Sequence, residues 1–241
     1  MYIIMKHFFL FILAYLIAKP SGAQLNSYKK EFQNYIPKGW VLDTALSGDL
    51  NKDQQADMVL VLRNTHAANF KKNDGLGMDQ LDLNPRRLLI LFKTGTGYTR
   101  ELTTDVFLPS VNSGESPCLE DPLYEGGLEI SKGLLKIRLH YWLSCGSWYV
   151  TNYAYTFRYQ NKKFELIGLD VSSFHRASGE SSATSYNFST RKKQTITGMN
   201  EFEEAKVKPV EKWEKINVVR LFDLAKMTSE TASEEIVNKE L

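Results

Sequence analysis

Apolar residues fall along this chain in two kinds of run. In the first, every position is apolar: Met58-Val59-Leu60-Val61-Leu62 and Leu88-Leu89-Ile90-Leu91-Phe92 have no polar face, as strands covered on both sides require. In the second, apolar and polar positions alternate. Leu135, Ile137, Leu139 and Tyr141 share one face of residues 134–142, with Lys136, Arg138 and His140 on the other. Residues 148–159 repeat the pattern, Tyr153, Tyr155, Phe157 and Tyr159 standing opposite Asn152, Ala154, Thr156 and Arg158. Period two over such lengths predicts half-buried strands. With 128–130 and 164–171 they form a four-strand antiparallel meander over 128–171, divided by Ser131-Lys132-Gly133, residues 143–147 and Gln160-Asn161-Lys162-Lys163, all turn chemistry.

The rest of the chain is arranged around these runs. Leu25, Tyr28, Phe32 and Tyr35 are spaced 3, 4 and 3, which predicts a short amphipathic helix over 24–35, ended by Pro37 and Gly39. Trp40-Val41-Leu42 is a short strand leading into a polar loop at 48–57, and 57–63 is the strand leaving it. Period is lost over 64–87, a connection long enough to be either functional or disordered. Residues 88–92 and 98–102 pair as a hairpin around Lys93-Thr94-Gly95-Thr96-Gly97, and 105–122 is a loop with Pro109, Pro117 and Pro122. Further on, the Ser-rich stretch 172–185 is expected to be an exposed loop. Residues 186–189 and 194–197 form a hairpin with a basic tip, 216–222 is one more strand or the start of a helix, and 229–241 is a polar tail expected to fray. The chain is therefore expected to be mainly β, with antiparallel meander or sandwich-like sheets and a short N-terminal helix, in a single domain over 24–228.

Residues 1–23 change the picture of compartment. Lys6 and His7, an apolar run over 8–18 and the small residues Ser21-Gly22-Ala23 before Gln24 predict a secretory signal peptide. The run is shorter than the roughly 20 residues that span a bilayer, and no later run approaches that length. Gln24, not Cys, follows the expected cleavage point, which argues against a lipid anchor there. The expected location is the periplasm or the cell exterior. Lys6 and Lys19 go with the signal, so 28 basic residues then balance 28 acidic ones. A neutral chain without a clustered basic face does not suit a nucleic-acid partner. In an oxidising compartment Cys118 and Cys145 are expected to be bridged. The bridge would close a loop contributing roughly 3 to 3.5 kcal/mol on the chain-entropy model. Two buried thiols, or one reactive thiol, are the alternatives.

One stretch carries recognisable chemistry. In Gly48-Asp49-Leu50-Asn51-Lys52-Asp53-Gln54-Gln55-Ala56-Asp57, the oxygens of Asp49, Asn51 and Asp53, the Gln55 carbonyl and Asp57 fall at positions 1, 3, 5, 7 and 9 of a tight loop, a spacing suited to a cation of calcium size. The bland alternative is a polar turn whose Asp and Asn side chains bond their own backbone. An EF-hand fits less well, because Gln54 and Leu60 stand where it needs Gly and Glu. Followed by Met58-Val59-Leu60-Val61, the loop resembles the calcium loop of integrin-α-type FG-GAP repeats, a VCBS-like pattern. That resemblance implies a structural calcium between two antiparallel strands, held by Asp49, Asn51, Asp53, Gln55 and Asp57. It covers residues 48–62. Gln54 replaces the family's Gly, at a position that favours a residue tolerant of left-handed backbone, so affinity is expected on the order of 0.1 to 1 mM. The loop occurs once, and a complete β-propeller, with at least four blades, is not expected. Residues 87–92, 164–168 and the Ser185-Tyr186-Asn187-Phe188 hairpin resemble small exported proteins of Gram-negative bacteria, which bring no activity with them.

Signals for catalysis are thin. His66, His140 and His175 lie too far apart for a zinc spacing. His140 beside Cys145 would form a thiol–base pair only if Cys145 were free, and Cys145-Gly146-Ser147 lacks the nucleophile-elbow pattern. The aromatics of the meander are read as core, with Trp142 and Trp148, flanking the Cys145 turn, as possible ligand contacts. The reading is an exported binding or structural module with a protein or glycan ligand, a weak calcium-stabilised turn and one disulfide. Two alternatives stay open: a secreted hydrolase with a site assembled from distant residues and 64–87 as a lid, and an exported inhibitor or immunity-type protein.

Overall fold

The computed structural model describes residues 22–202 and 208–237. Nearly all of the expected signal peptide lies outside that range. The chain begins with helix α1, Gly22–Glu31, followed by a single 3-10 turn at Gln33–Tyr35. Strands β1, Trp40–Gly48, and β2, Asp57–Asn64, form the first hairpin. A small separate hairpin of β3, Phe70–Lys72, and β4, Gln80–Asp82, comes next. Then β5, Arg86–Thr94, and β6, Gly97–Thr104, complete a four-stranded sheet in the order β1-β2-β5-β6.

After the one-turn helix α2, Pro122–Glu125, come β7, Gly127–Ser131, β8, Leu134–Trp142, β9, Tyr149–Gln160, and β10, Lys163–His175. Strands β11, Glu180–Asn187, β12, Lys192–Asn200, and β13, Val210–Lys215, follow. These seven form one sheet in strict sequence order, all antiparallel. A helical segment, α3 at Ser229–Thr231 running on through Ala232–Val237, ends the described chain.

The two kinds of apolar run now have a cause. In β2 and β5 the odd-even alternation survives, but both faces are covered. Met58, Leu60, Leu62, Leu89 and Leu91 pack with Phe32 and the α1 residues Leu25 and Tyr28. Val59, Val61, Leu88, Ile90 and Phe92 instead share a core with Leu135, Ile137, Leu139, Tyr155, Phe157 and Phe164 of the larger sheet. The molecule is thus layered as helix, four-stranded sheet, seven-stranded sheet. Strands of the larger sheet are covered on one side only and keep a polar outer face. At one edge the sheets nearly touch: a Cβ on Gly48 would stand 2.5 Å from Ile130 Cγ2.

Several expectations are corrected. Residues 64–87 contain an ordered hairpin, pinned at its base by the Asn64 N–H to Pro85 carbonyl bond of 3.0 Å. The Ser-rich stretch 172–185 is largely strand, because β10 continues to His175 and β11 begins at Glu180. Ser and Thr on both faces gave no hydrophobic period, and the ladder to neighbouring strands supplies what the period lacks. The last strand lies at Val210–Lys215, and not at 216–222. It is an edge strand whose Glu211, Lys212, Glu214 and Lys215 resist further pairing. Residues 216–224 instead run irregularly over the core, burying Ile216 and Leu224. The described part of the expected frayed tail, up to Val237, is seated: Ile236 is 0 % exposed and belongs to the same core as Tyr186, Phe188 and Met227.

Candidate functional site

The acidic loop joins β1 to β2, whose last bonded pair is Gly48 and Asp57. Asp49 shapes it: Oδ1 accepts the amides of Lys52 at 2.6 Å and Asp53 at 3.2 Å, and Oδ2 accepts that of Gln54 at 3.0 Å. Asn51 Oδ1 accepts the Asp53 amide at 3.0 Å, and Asp53 Oδ1 that of Gln55 at 2.8 Å. This winding places Lys52 at φ +65° and Gln54 at φ +67°. Left-handed backbone costs a non-Gly residue about 1 kcal/mol or more. Gln54 therefore adopts a backbone conformation that favours Gly.

Asp57 stands apart from the other predicted oxygens. It is 0 % exposed. Its Oδ2 accepts the amides of Leu50 at 2.8 Å and Asn51 at 3.4 Å, while Oδ1 accepts that of Lys93 on β5 at 3.0 Å. Burial pushes the Asp57 carboxyl above the usual carboxylate value, the Asp53 charge adds to that, and the three amides oppose it. The structure thus gathers Asp49, Asn51 and Asp53 at the mouth of the loop, with the Asn51 amide 3.1 Å and the Gln55 side-chain amide 3.3 Å from Asp53 Oδ2. Asp57 lies beneath, tying the loop to the neighbouring strand. Among the described residues none of the three carboxylates is in an ion pair. Nor is any group of three or more His, Cys, Asp or Glu side chains arranged there to hold a metal.

The second predicted feature is present: Cys118 and Cys145 are bridged, with Cα atoms 5.4 Å apart. This removes the thiol nucleophile. His140 instead faces Asn152 Oδ1 at 2.6 Å. The bridge anchors the turn between β8 and β9, where Ser144 donates its amide to the Cys118 carbonyl at 2.9 Å. Arg176 caps the same turn. It donates to the Leu143 carbonyl at 2.9 Å and to that of Ser147, with its guanidinium 5.2 Å from the Trp142 ring centre and 5.8 Å from that of Trp148. Trp148 is 62 % exposed, so the corner presents aromatic surface, but Arg176 already stacks on both rings.

A third cluster has no counterpart in the sequence reading. The register of β1 slips between Leu42 and Thr44, and this bulge turns Asp43 toward Arg63, 3.2 Å away, and Arg86, 3.7 Å away. Arg63 also reaches Asp82 at 2.6 Å. Arg86, 4 % exposed in its side chain, holds Asp121 through both terminal nitrogens at 2.7 and 2.6 Å. Burial pushes the Asp43 carboxyl up against the pull of the two guanidiniums. The cluster ties the β3–β4 excursion and the start of α2 to the four-stranded sheet. Its one sequence-level signal was Asp121-Pro122, a helix cap followed by Pro at the first helical position.

No family model, curated protein or solved structure matches this chain. Among the described residues no helix is long and apolar enough to cross a membrane.

Proposed function

We propose that the protein is an exported binding module in which the β1–β2 loop takes a weakly held calcium ion as a clasp. The observation that carries this is the left-handed backbone at Lys52 and Gln54, which winds Asp49, Asn51 and Asp53 into one turn although neither residue is Gly. The negative charge of the loop, in no ion pair among the described residues, points the same way. Asp49, Asn51, Asp53 and the Gln55 carbonyl would hold the ion, with the Asp57 charge beneath them. Calcium would offset the mutual repulsion of the carboxylates and stiffen the hairpin that joins α1 to both sheets. Among the described residues no constellation of nucleophile, base and cavity supports the hydrolase alternative.

Thermal unfolding of residues 24–241 with calcium and with a chelator, beside Asp53→Asn, tests the reading. At ten times its dissociation constant the ion adds about 1.4 kcal/mol, a shift of roughly 3 to 6 °C for a chain of this size. The variant should lose that shift. An equal response in parent and variant, or none in the parent, sinks the proposal.

A further inference from the structure

The outer face of the seven-stranded sheet carries a shallow trough of about 160 Å³. Strand register explains its shape. Asn152, Ser172, Ala183 and Ile196 are neighbours on one row across β9 to β12. On the adjacent row lie Ala154, Asp170, Ser185 and Gln194, with Trp213 of β13 next to Gln194. Ala154 and Ala183 leave the floor low where longer side chains would fill it, and Ile196 makes one apolar wall. Asn152, Asp170 and Gln194 stand around it, within roughly three strand spacings of 4.8 Å.

Three properties narrow what fits. A cavity of about 150 Å³ accommodates one benzene ring, so the trough is the size of a single six-membered ring. The ring must be amphipathic, because a purely apolar one would cover Asp170, a carboxylate whose single bond from Ser185 leaves most of its acceptor sites to water, and the amide of Asn152, whose oxygen already faces His140. It must not be an anion: Asp170 accepts from Ser185 Oγ at 2.6 Å and is in no ion pair among the described residues. Glu211 adds a second carboxylate at the far wall, accepting from Gln194 Nε2 at 2.9 Å and from the Trp213 indole. Trp213 is 58 % exposed, and an exposed indole beside such a ring is a stacking surface.

We propose that this trough binds a neutral hexopyranose unit of a glycan. The C–H face of the ring lies on Ala154, Ala183 and Ile196, its hydroxyls bond Asn152, Asp170 and Gln194, and Trp213 stacks on the next sugar. This names a ligand for the binding module proposed above and rests on that reading, but does not need the calcium ion.

The test is amide chemical-shift titration of residues 24–241 with methyl glycosides of glucose, galactose, mannose and N-acetylglucosamine. At least one should give saturable shifts centred on Ala154, Asp170 and Ala183, in the millimolar range expected of a single ring. Ala183→Val fills the floor with a residue that strands favour, and Asp170→Ala removes a hydroxyl acceptor from an exposed position. Each should weaken binding about tenfold, near 1.4 kcal/mol, with the remaining spectrum unchanged. If Ala183→Val disturbs the spectrum, Asp170→Ala decides alone. The proposal is overturned if none of the four glycosides shifts these amides, if shifts centre on Trp142 and Trp148 instead, or if Asp170→Ala binds as the parent does. A calcium-dependent melting point that persists through any of those results leaves the clasp standing, so the two failures are told apart.

Discussion

Replacing Asp57 by Asn tests whether the acidic loop is held from beneath. The carboxylate is fully buried and accepts three main-chain amides: Leu50 and Asn51 on one oxygen, Lys93 on the other. Asn keeps the shape but offers one oxygen and one N–H₂. With the oxygen toward Leu50, the Lys93 amide faces a donor; with the amide flipped, Leu50 and Asn51 both do. The smaller loss is one buried donor, costing roughly 1 to 3 kcal/mol. Part is returned, since removing the buried charge relieves the desolvation that raises the Asp57 pKa. The net expectation is a loss of about 2 kcal/mol, or roughly 4 to 8 °C in melting temperature for a chain of this length. Urea unfolding followed by tryptophan fluorescence, in chelator so that no ion contributes, measures it. Asp53→Asn is the control, because Asp53 is exposed and its substitution should stay within about 0.5 kcal/mol. Equal effects for the two variants would refute the assignment of Asp57 as the buried strut.

Other outcomes follow from the same structure. Changing Cys118 and Cys145 together to Ser opens a 27-residue separation and should cost about 3.5 kcal/mol on the chain-entropy model; unchanged stability in denaturant would show that the 143–148 turn is held by Arg176 alone. Ile236→Ala removes a fully buried side chain and should cost about 2 to 5 kcal/mol, whereas a surface-like effect in urea melts would mean that the end segment is not docked. Burial pushes the carboxyls of Asp43 and Asp57 above the usual carboxylate value in the folded chain. The folded state therefore binds more protons than the unfolded one just above that value, and these groups make stability fall as pH rises through that window. Asp43→Asn should flatten this fall as pH rises above the usual carboxylate range. A pH–stability curve parallel to that of the parent would contradict it.

How much was legible depended on where the stabilising contacts lie. The unbroken runs of β2 and β5 and the alternation of β8 and β9 carry their burial in their own composition, and those strands were placed within a residue or two. The helix expected over 24–35 is there too, but α1 stops at Glu31 and a 3-10 turn at Gln33–Tyr35 completes the stretch. The upper half of β10 and β11 up to Ser185 are strand only because other strands flank them, since Ser173, Ser182 and Thr184 have no apolar signature. The charges of Val210–Lys215 hid an edge strand for the same reason. At the loop, spacing gave the candidate oxygens. It did not give the inward turn of Asp57, which depends on Lys93, thirty-six residues away. The cluster around Arg86 was hidden more deeply, because the bulge that aims Asp43 leaves no mark in the pattern of residue types.

Each strand of the larger sheet pairs with the strands next to it in sequence, and β10 is further bonded to residues 222–224. As the chain leaves the ribosome, every hairpin from β7 onward can close as soon as its second strand appears, with little loop entropy to overcome. The core behind Tyr186 and Phe188 closes only later, when Leu224, Met227 and Ile236 arrive. Pairing is therefore early and local, while sealing is late and depends on the last turn of the described chain. A synthesis stalled before residue 224 would leave a complete sheet with the part of its apolar face around Tyr186 and Phe188 uncovered, a form suited to capture by a holding chaperone or by another copy of itself.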